Sequence, residues 1–388
     1  MNTKVIKNAS VVLEDGIIYD GAIVIRDGKI LSYGKESKLE IPEGAEIIDA
    51  GGAYVGPGFV DIHVHGGGGF QTSTHPREAA AHFLRHGETT MLATPSGTAA
   101  KERDEIIGFI KNIREAIREG SNIRGIYMEG PYYNKKYGSN SKLNKWGDKE
   151  IVPEDYEALV NAGGTDIKVW MVAPEREGLE PFLAYARKVN PEVKFAVGHS
   201  EAIPSRIRAL GKYRPEIQTH SMNATGRFPK PEPNGLRSYG PDEYCFKEPD
   251  VYCELISDSL GIHVKPDMQQ MLLHMKGYDK VVLISDSTVY GNPVPEKYAG
   301  VTDLNFDPWG GIAGSKLTLD QACKNIMSHT NCGIAQAFIM ASTNPAKAVG
   351  MYDELGSIFE GKRADLVFVD DKFNIREVML GGEICKFD

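Results

Sequence analysis

No two cysteines in this chain stand two residues apart, and the five present (Cys245, Cys253, Cys323, Cys332 and Cys385) are scattered without a framework. That scatter argues against a disulfide scaffold and a cysteine-based zinc site, and predicts reduced, mostly structural thiols. Also missing is any apolar run near the roughly 18 to 20 residues needed to cross a bilayer. There is no Lys/Arg stripe: 44 basic against 53 acidic residues leave a formal charge of −9. Nucleic acid and anionic membrane are therefore disfavoured as main partners, while a local basic pocket for an anionic small molecule stays open. The opening residues, MNTKVIKNASVVLEDG, carry no apolar segment ahead of a small-residue cleavage site, so a cytoplasmic protein is the expectation. Short-period repeats and low-complexity segments are absent as well.

What is there changes texture twice. From 1 to about 53, short strand-like runs alternate with glycine turns (KVIKNASVVL, DGIIYDGAIVIRDGKILSYG, AEIIDAGGAYV), and the last thirty-odd residues resume that style. The two ends, 1–53 and 352–388, are expected to build one small β domain together. Between them, over 54–351, eight β-rich runs alternate with stretches of helical period: YVGPGFVDIHVH, TTMLATPS, IRGIYMEGPYY, DIKVWMVAPE, KFAVGHS, IQTHSMNA, DVYCELISDS and KVVLISDST. Helical candidates between them include KERDEIIGFIKNIREAIREG and EGLEPFLAYARKV. Eight β/α units predict an α/β fold of the (β/α)₈ barrel type. The stretch GRFPKPEPNGLRSYGP reads as a long loop after the sixth strand.

A barrel of this type builds its site at the C-terminal ends of its strands, so the residues that close each run matter most. The first run closes with His63 and His65, the third with Glu129, the fifth with His199, the sixth with His220 and Asn223, and the eighth with Asp286. Alternation along a strand sends His63 and His65 to the same side, where two imidazoles can hold one ion. A single strand-end histidine is more often a hydrogen-bonded core or surface residue. Four of the ten histidines closing strands, with carboxylates closing two more, is hard to assign to packing, because carboxylates are seldom buried unpaired. Imidazole and carboxylate ligands without thiolate suit Zn²⁺, Mn²⁺ or Fe²⁺ and do not separate them. His82, His86 and His274 fall on helix faces, and His75 and His329 in connections.

The four glycines Gly66 to Gly69 allow three readings. A phosphate loop would open a helix, yet no helix begins before about Pro76. A turn of positive φ explains one or two glycines but not four. Four suit a backbone that passes close to a metal or ligand.

With these strand ends in order, the chain resembles the amidohydrolase superfamily, and within it the N-acetylglucosamine-6-phosphate deacetylase family. The resembling stretches are PGFVDIHVHGGGG (57–69), MEGPYYN (128–134), VGHSEA (197–202), THSMNA (219–224), ELISDS with IHV (254–264), LISDS (283–287), IAGS (312–315) and STNPAKAVG (342–350) before GSIFEGKRADLVFVD. The resemblance implies a (β/α)₈ barrel with a small β-sandwich from both chain ends, a homodimer, and one or two divalent ions per chain. It implies Glu129, His199 and His220 as ligands of one metal site, and His63 and His65 as ligands of a second that only some members have. Asp286 matches the catalytic acid/base, and Asn223, Ala224 and Arg227 match positions that hold the sugar phosphate. The implied reaction is hydrolysis of the acetamide of an N-acetyl amino sugar 6-phosphate. The chain departs from the family pattern in three places. Tyr137-Gly138-Ser139-Asn140 replaces a stretch whose histidine touches substrate, which leaves Asn140 as the candidate there. His263 follows Asp258 at a spacing two residues longer than usual, and the loop after Arg227 is unusual. Another N-acyl amino sugar, an N-acyl amino acid or a cyclic amide would suit the same metal site, and a non-catalytic scaffold is the remaining alternative.

Overall fold

The computed structural model describes residues 3–139, 141–226 and 239–387. Asn140 and Arg227, both candidate substrate contacts, lie outside the described residues. Eight parallel strands form one sheet in sequential order: β1 (Val60–Val64), β2 (Thr90–Ala93), β3 (Ile123–Glu129), β4 (Ile167–Val172), β5 (Lys194–Val197), β6 (Ile217–Gln218), β7 (Tyr252–Leu255) and β8 (Val281–Leu283). Just past β8 the chain returns to β1: Asp286 N donates to His63 O at 3.0 Å, and His65 N donates to Ser287 O at 2.8 Å. Those bonds draw the last strand's end against the first and bring the row round into a barrel.

A helix follows each strand: α1 (Pro76–Arg85), α2 (Arg103–Arg118), α3 (Pro153–Gly163), α4 (Leu179–Val189), α5 (Pro204–Ala209), α6 (Pro241–Lys247), α7 (Pro266–Lys276) and α8 (Leu319–Thr330). In α2 the apolar residues Ile106, Ile110, Ile113 and Ala116 recur every three or four positions and are all buried. Its first turn is closed by the Glu105 carboxylate, which accepts from Glu102 N at 3.0 Å. Alternate strand residues go to different cores, which is why the runs read as continuous apolar stretches. Leu92, Tyr127, Val169, Met171 and Val282 join one cluster. Met91, Met128, Trp170 and Phe195 join another with Ile106, Leu159 and Phe182 of the helices.

The second sheet is built from both chain ends, in the order Glu383–Ile384, Ile375–Leu380, Leu366–Val369, Tyr54–Pro57, Thr3–Leu13, Gly16–Arg26 and Lys29–Lys35, with Glu46–Asp49 also pairing to Thr3–Leu13. Two groups of its buried residues, Ile6, Ile23 and Val55 with Leu366 and Phe368 in one, and Val5, Ala22 and Val24 in the other, give the small sandwich, while Val12, Val367 and Val369 face the barrel's core. The run YVGPGFVDIHVH, read as one strand, is two. Tyr54–Pro57 pairs with Thr3–Leu13 and Leu366–Val369, and only Val60–Val64 belongs to the barrel. The break falls at Gly58, where any Cβ would stand 2.0 Å from Thr89 Oγ1, so only glycine passes between the two sheets.

Candidate active site

Six strand-end side chains meet at one mouth of the barrel. His63 and His65, on alternate residues of β1 and the turn after it, converge with Asp286 from the segment after β8. Glu129, the last residue of β3, converges with His199 and His220, each two residues past its strand. Within each trio the candidate ligand atoms lie within 4.8 Å of one another. His199, His220 and Asp286 have φ of 45°, 29° and 44°, a left-handed backbone that non-glycine residues seldom adopt. The chain therefore bends sharply at three of the six positions, and such bends turn side chains from the strand direction into the mouth.

Glu129 links the trios. Its Oε1 lies 2.7 Å from His199 Nε2, 3.2 Å from His220 Nε2 and 3.8 Å from His63 Nε2, while Oε2 lies 3.3 Å from His65 Nε2. Asp286 Oδ1 completes the other side, 3.3 Å from His65 Nε2 and 3.8 Å from His63 Nε2. Two of the imidazoles have their tautomers set from behind. His220 Nδ1 faces the carbonyl of Asn223 at 3.1 Å, and His63 Nδ1 faces Glu254 Oε2 at 3.0 Å. Since both partners can only accept, each Nδ1 carries a proton and Nε2 is the nitrogen left to face the mouth.

The electrostatics of the mouth are those of a site that wants positive charge. Burial would raise Glu129, but the imidazoles of His199, His220 and His63 hold it well below the usual carboxylate range. Asp286 is likewise held down against burial by His65 and His63. Burial pulls His65 down, but Asp286 and Glu129 win and lift it to about 9. His63 is raised well above its ordinary value against the same burial, by Glu254 and Glu129.

A divalent cation fits these residues better than protons do. His199 Nε2 and His220 Nε2 face each other at 3.0 Å while both approach the same carboxylate oxygen, and at most one proton can sit between two imidazole nitrogens. Buried His63 Nε2 has no hydrogen-bond partner of its own. Lone pairs aimed at common points, from imidazoles and carboxylates only, are what a borderline divalent ion takes as ligands. The mouth is a divalent-metal-binding site.

The sequence profile of the amidohydrolase family matches residues 54–385. The N-acetylglucosamine-6-phosphate deacetylase of Bacillus subtilis (strain 168) is 30% identical, with 98% of this chain and 96% of that protein covered. The chain belongs to the amidohydrolase family, in its N-acetylglucosamine-6-phosphate deacetylase branch. A second relative, the N-acetylgalactosamine-6-phosphate deacetylase of Escherichia coli O157:H7, is 26% identical over 99% of this chain and all of its own. Among solved structures, N-acetylglucosamine-6-phosphate deacetylase from Thermotoga maritima is 26% identical with a TM-score of 0.80, covering 98% of this chain and 99% of that one. The Pasteurella multocida enzyme shares the fold at a TM-score of 0.84 and 23% identity, covering 99% of both chains.

As an amidohydrolase, the chain is a metal-dependent hydrolase, and its mouth opens into a cleft of about 340 Å³. Asn223 and Ala224, candidate substrate contacts in the sequence, line that cleft. His263 is not brought to it. Its backbone N and Nδ1 both bind Asp258 Oδ2, at 2.8 and 3.1 Å, which folds the longer Asp258 to His263 turn on itself. Tyr133, Thr98, Tyr290 and Asp307 line the cleft without having been singled out in the sequence, and so do Gly138 and Ser139 of the stretch that departs from the family pattern. Lining residues of this kind sit on loops, where neither period nor residue type marks them. No lysine or arginine lines the cleft among the described residues. Gly138 is there by necessity: at φ 99°, a Cβ would stand 2.6 Å from His199 Nδ1. Its loop is pinned by Tyr137, whose hydroxyl donates to Glu201 Oε2 at 2.9 Å.

Proposed function

We propose that this amidohydrolase removes the acetyl group from an N-acetyl amino sugar 6-phosphate, releasing acetate and the amino sugar phosphate. One observation carries the reading: two trios of imidazole and carboxylate side chains, linked by the contacts of Glu129 with His63 and His65, meet at the mouth that opens into the cleft. Glu129, His199 and His220 would hold the hydrolytic ion, and His63 with His65 would hold a second where one is taken up. An ion held by these residues would supply an acidified water, its pKa brought toward about 7, and a Lewis acid for the amide carbonyl. Asp286 supplies the proton traffic. One carboxylate oxygen takes the proton from the attacking water, and the same group returns it to the amine nitrogen as the C–N bond breaks. Its low proton affinity before attack makes the protonated form acidic enough to protonate an otherwise poor leaving group.

Asn223 and Ala224 at the cleft wall, with Arg227 and Asn140, are the substrate-holding positions in this reading, and Arg227 is the cation assigned to the phosphate. The names of the relatives support a 6-phosphate in both the gluco and galacto series. Acetate release from N-acetylglucosamine, N-acetylgalactosamine and their 6-phosphates tests the assignment. We expect kcat/KM at least a hundredfold higher for a 6-phosphate. Equal turnover of the free sugars would remove the phosphate from the reading and leave another N-acyl amino sugar, an N-acyl amino acid or a cyclic amide. Asp286→Asn should lose about 10²- to 10⁴-fold in kcat, the range of a lost general acid/base. An Asn variant as active as the parent would sink the mechanism.

The same reading includes a homodimer in the cytoplasm. Met268, Met271 and Met275 recur along one exposed face of α7, with Leu260 and Tyr278 also exposed nearby in the chain, and such apolar surface suits an interface between copies. Five free cysteines suit a reducing compartment. No helix among the described residues is long and apolar enough to cross a membrane. Light scattering on the parent and on Met271→Glu would show a dimer that the charge breaks.

A further inference from the structure

One carboxylate beneath the mouth touches both trios. Glu254 sits in the middle of β7, in a strand otherwise made of Tyr252, Cys253 and Leu255, and is fully buried. A buried carboxylate is costly unless paired and hydrogen-bonded, and Glu254 has no Lys or Arg partner among the described residues. What it has instead are two residues of the mouth. Its Oε2 accepts from His63 Nδ1 at 3.0 Å and from the backbone N of His220 at 3.1 Å. Oε1 is left without a partner. The His63 ring is clamped from its face as well, stacked on Tyr127 with centroids 4.5 Å apart, and the Tyr127 hydroxyl bonds Thr219 Oγ1 at 2.7 Å.

We propose that Glu254 is the positioning residue of this metal centre, an inference that rests on the metal reading above. A carboxylate cannot donate, so the bond to Glu254 fixes the proton of His63 on Nδ1 and leaves the Nε2 lone pair to the ion. The same oxygen also accepts from the backbone N of His220, a bond that an amide oxygen at this position would keep. The orphaned Oε1 gives a reason for keeping a charge here. A neutral amide could supply one acceptor, but it could equally turn its NH₂ toward His63 Nδ1, which would favour the opposite tautomer and hide the lone pair.

The test is zinc binding, measured by metal analysis and chelator competition on the parent, Glu254→Gln, His63→Asn and the double variant. His63→Asn should lose the ion held by the first trio. Glu254→Gln should weaken that same ion about 10- to 100-fold, the usual effect of removing a partner behind a ligand. Added to His63→Asn, it should change the remaining zinc affinity less than twofold. Cobalt-substituted Glu254→Gln should also show a shifted visible absorption spectrum, which a merely structural role would leave alone. Parental zinc affinity in Glu254→Gln, or an equal further loss in the double variant, would overturn the proposal. If His63→Asn keeps every ion of the parent, the assignment of His63 as a ligand fails first, and Glu254 with it. Should Glu254→Gln fail to fold by circular dichroism, Glu254→Asp, which retracts the charge by one methylene, takes its place with the same expectations.

Discussion

At the scale of single residues, the chain places carboxyl groups where water cannot reach and uses neighbours to decide their charge. Glu129 and Asp286 are surrounded by imidazoles and stay ionised. Glu88, just ahead of β2, meets the opposite environment. It is fully buried, accepts one bond from Leu319 N at 2.8 Å, and has a second oxygen with no partner. Burial, with the nearby Asp61 carboxylate adding to it, pushes its pKa well above the ordinary 4.5. The folded chain then keeps a proton that the unfolded chain has released. Stability from this group is greatest below 4.5 and falls as pH rises toward the folded value. Glu88→Gln should flatten the decline above pH 4.5 by up to about 1.4 kcal/mol per pH unit. Urea unfolding at several pH values from 5 to 8 measures it, and parallel curves for parent and variant would refute it. The strand-end residues were legible in sequence because a charged or imidazole group closing an apolar run has few structural excuses. Glu254 broke an apolar run in the same way, but in mid-strand, where only the contacts with His63 and His220 reveal what it does.

At the scale of elements, the mouth depends on how a short hairpin is pressed against the end of β8. The strands Leu304–Phe306 and Ile312–Ser315 pair antiparallel, and Ser315 N donates to Asp286 O at 2.8 Å. Gly314, at φ 64°, stands so close that a Cβ would lie 2.6 Å from that same carbonyl. Gly314→Ala must therefore move either the hairpin or Asp286. We expect kcat to fall about a hundredfold, as displacement of a reacting group by about 1 Å can do, with the ion at Glu129, His199 and His220 retained. Steady-state kinetics beside metal analysis decide it; unchanged kcat would mean that the hairpin yields and Asp286 does not. The hairpin's IAGS stretch was visible in sequence only as part of the family resemblance, since four residues carry no period. The same limit explains YVGPGFVDIHVH. Both halves are apolar and β-prone, and only the pairing of Tyr54–Pro57, with the crowding at Gly58, shows that the first half belongs to another sheet.

At the scale of the whole molecule, the two sheets share material rather than merely touching. Val367 and Val369, from the strand Leu366–Val369, belong to the same buried cluster as Phe59, Phe338 and barrel residues such as Leu255 and Leu283. Gly58 N donates to Asp365 O at 2.8 Å, so the C-terminal segment braces the entry to β1. A chain ended after Arg363 loses that strand and the wall it supplies to the core. It should fail to reach the native state, with an expanded elution volume and lost near-ultraviolet dichroism. A compact, metal-loaded truncation would show the barrel to be self-sufficient. The alternation of strands and helices made the barrel legible from sequence, and the matching style of the two chain ends made the sandwich legible. The turn that keeps His263 from the cleft was not, because its shape depends on how Asp258 gathers three backbone N–H groups around itself.

The seam between β8 and β1 gives the molecule a chronology. Asp61 and Ser285, 224 residues apart, meet there, and Asp286 and His63 are bonded through their backbones on the same line. On a ribosome, the first strand therefore waits for nearly the whole barrel before its histidines acquire their third companion. An unfinished or misthreaded chain can offer an ion scattered ligands but never the assembled trio. An ion at His63, His65 and Asp286 would therefore be taken up only after the circle has closed.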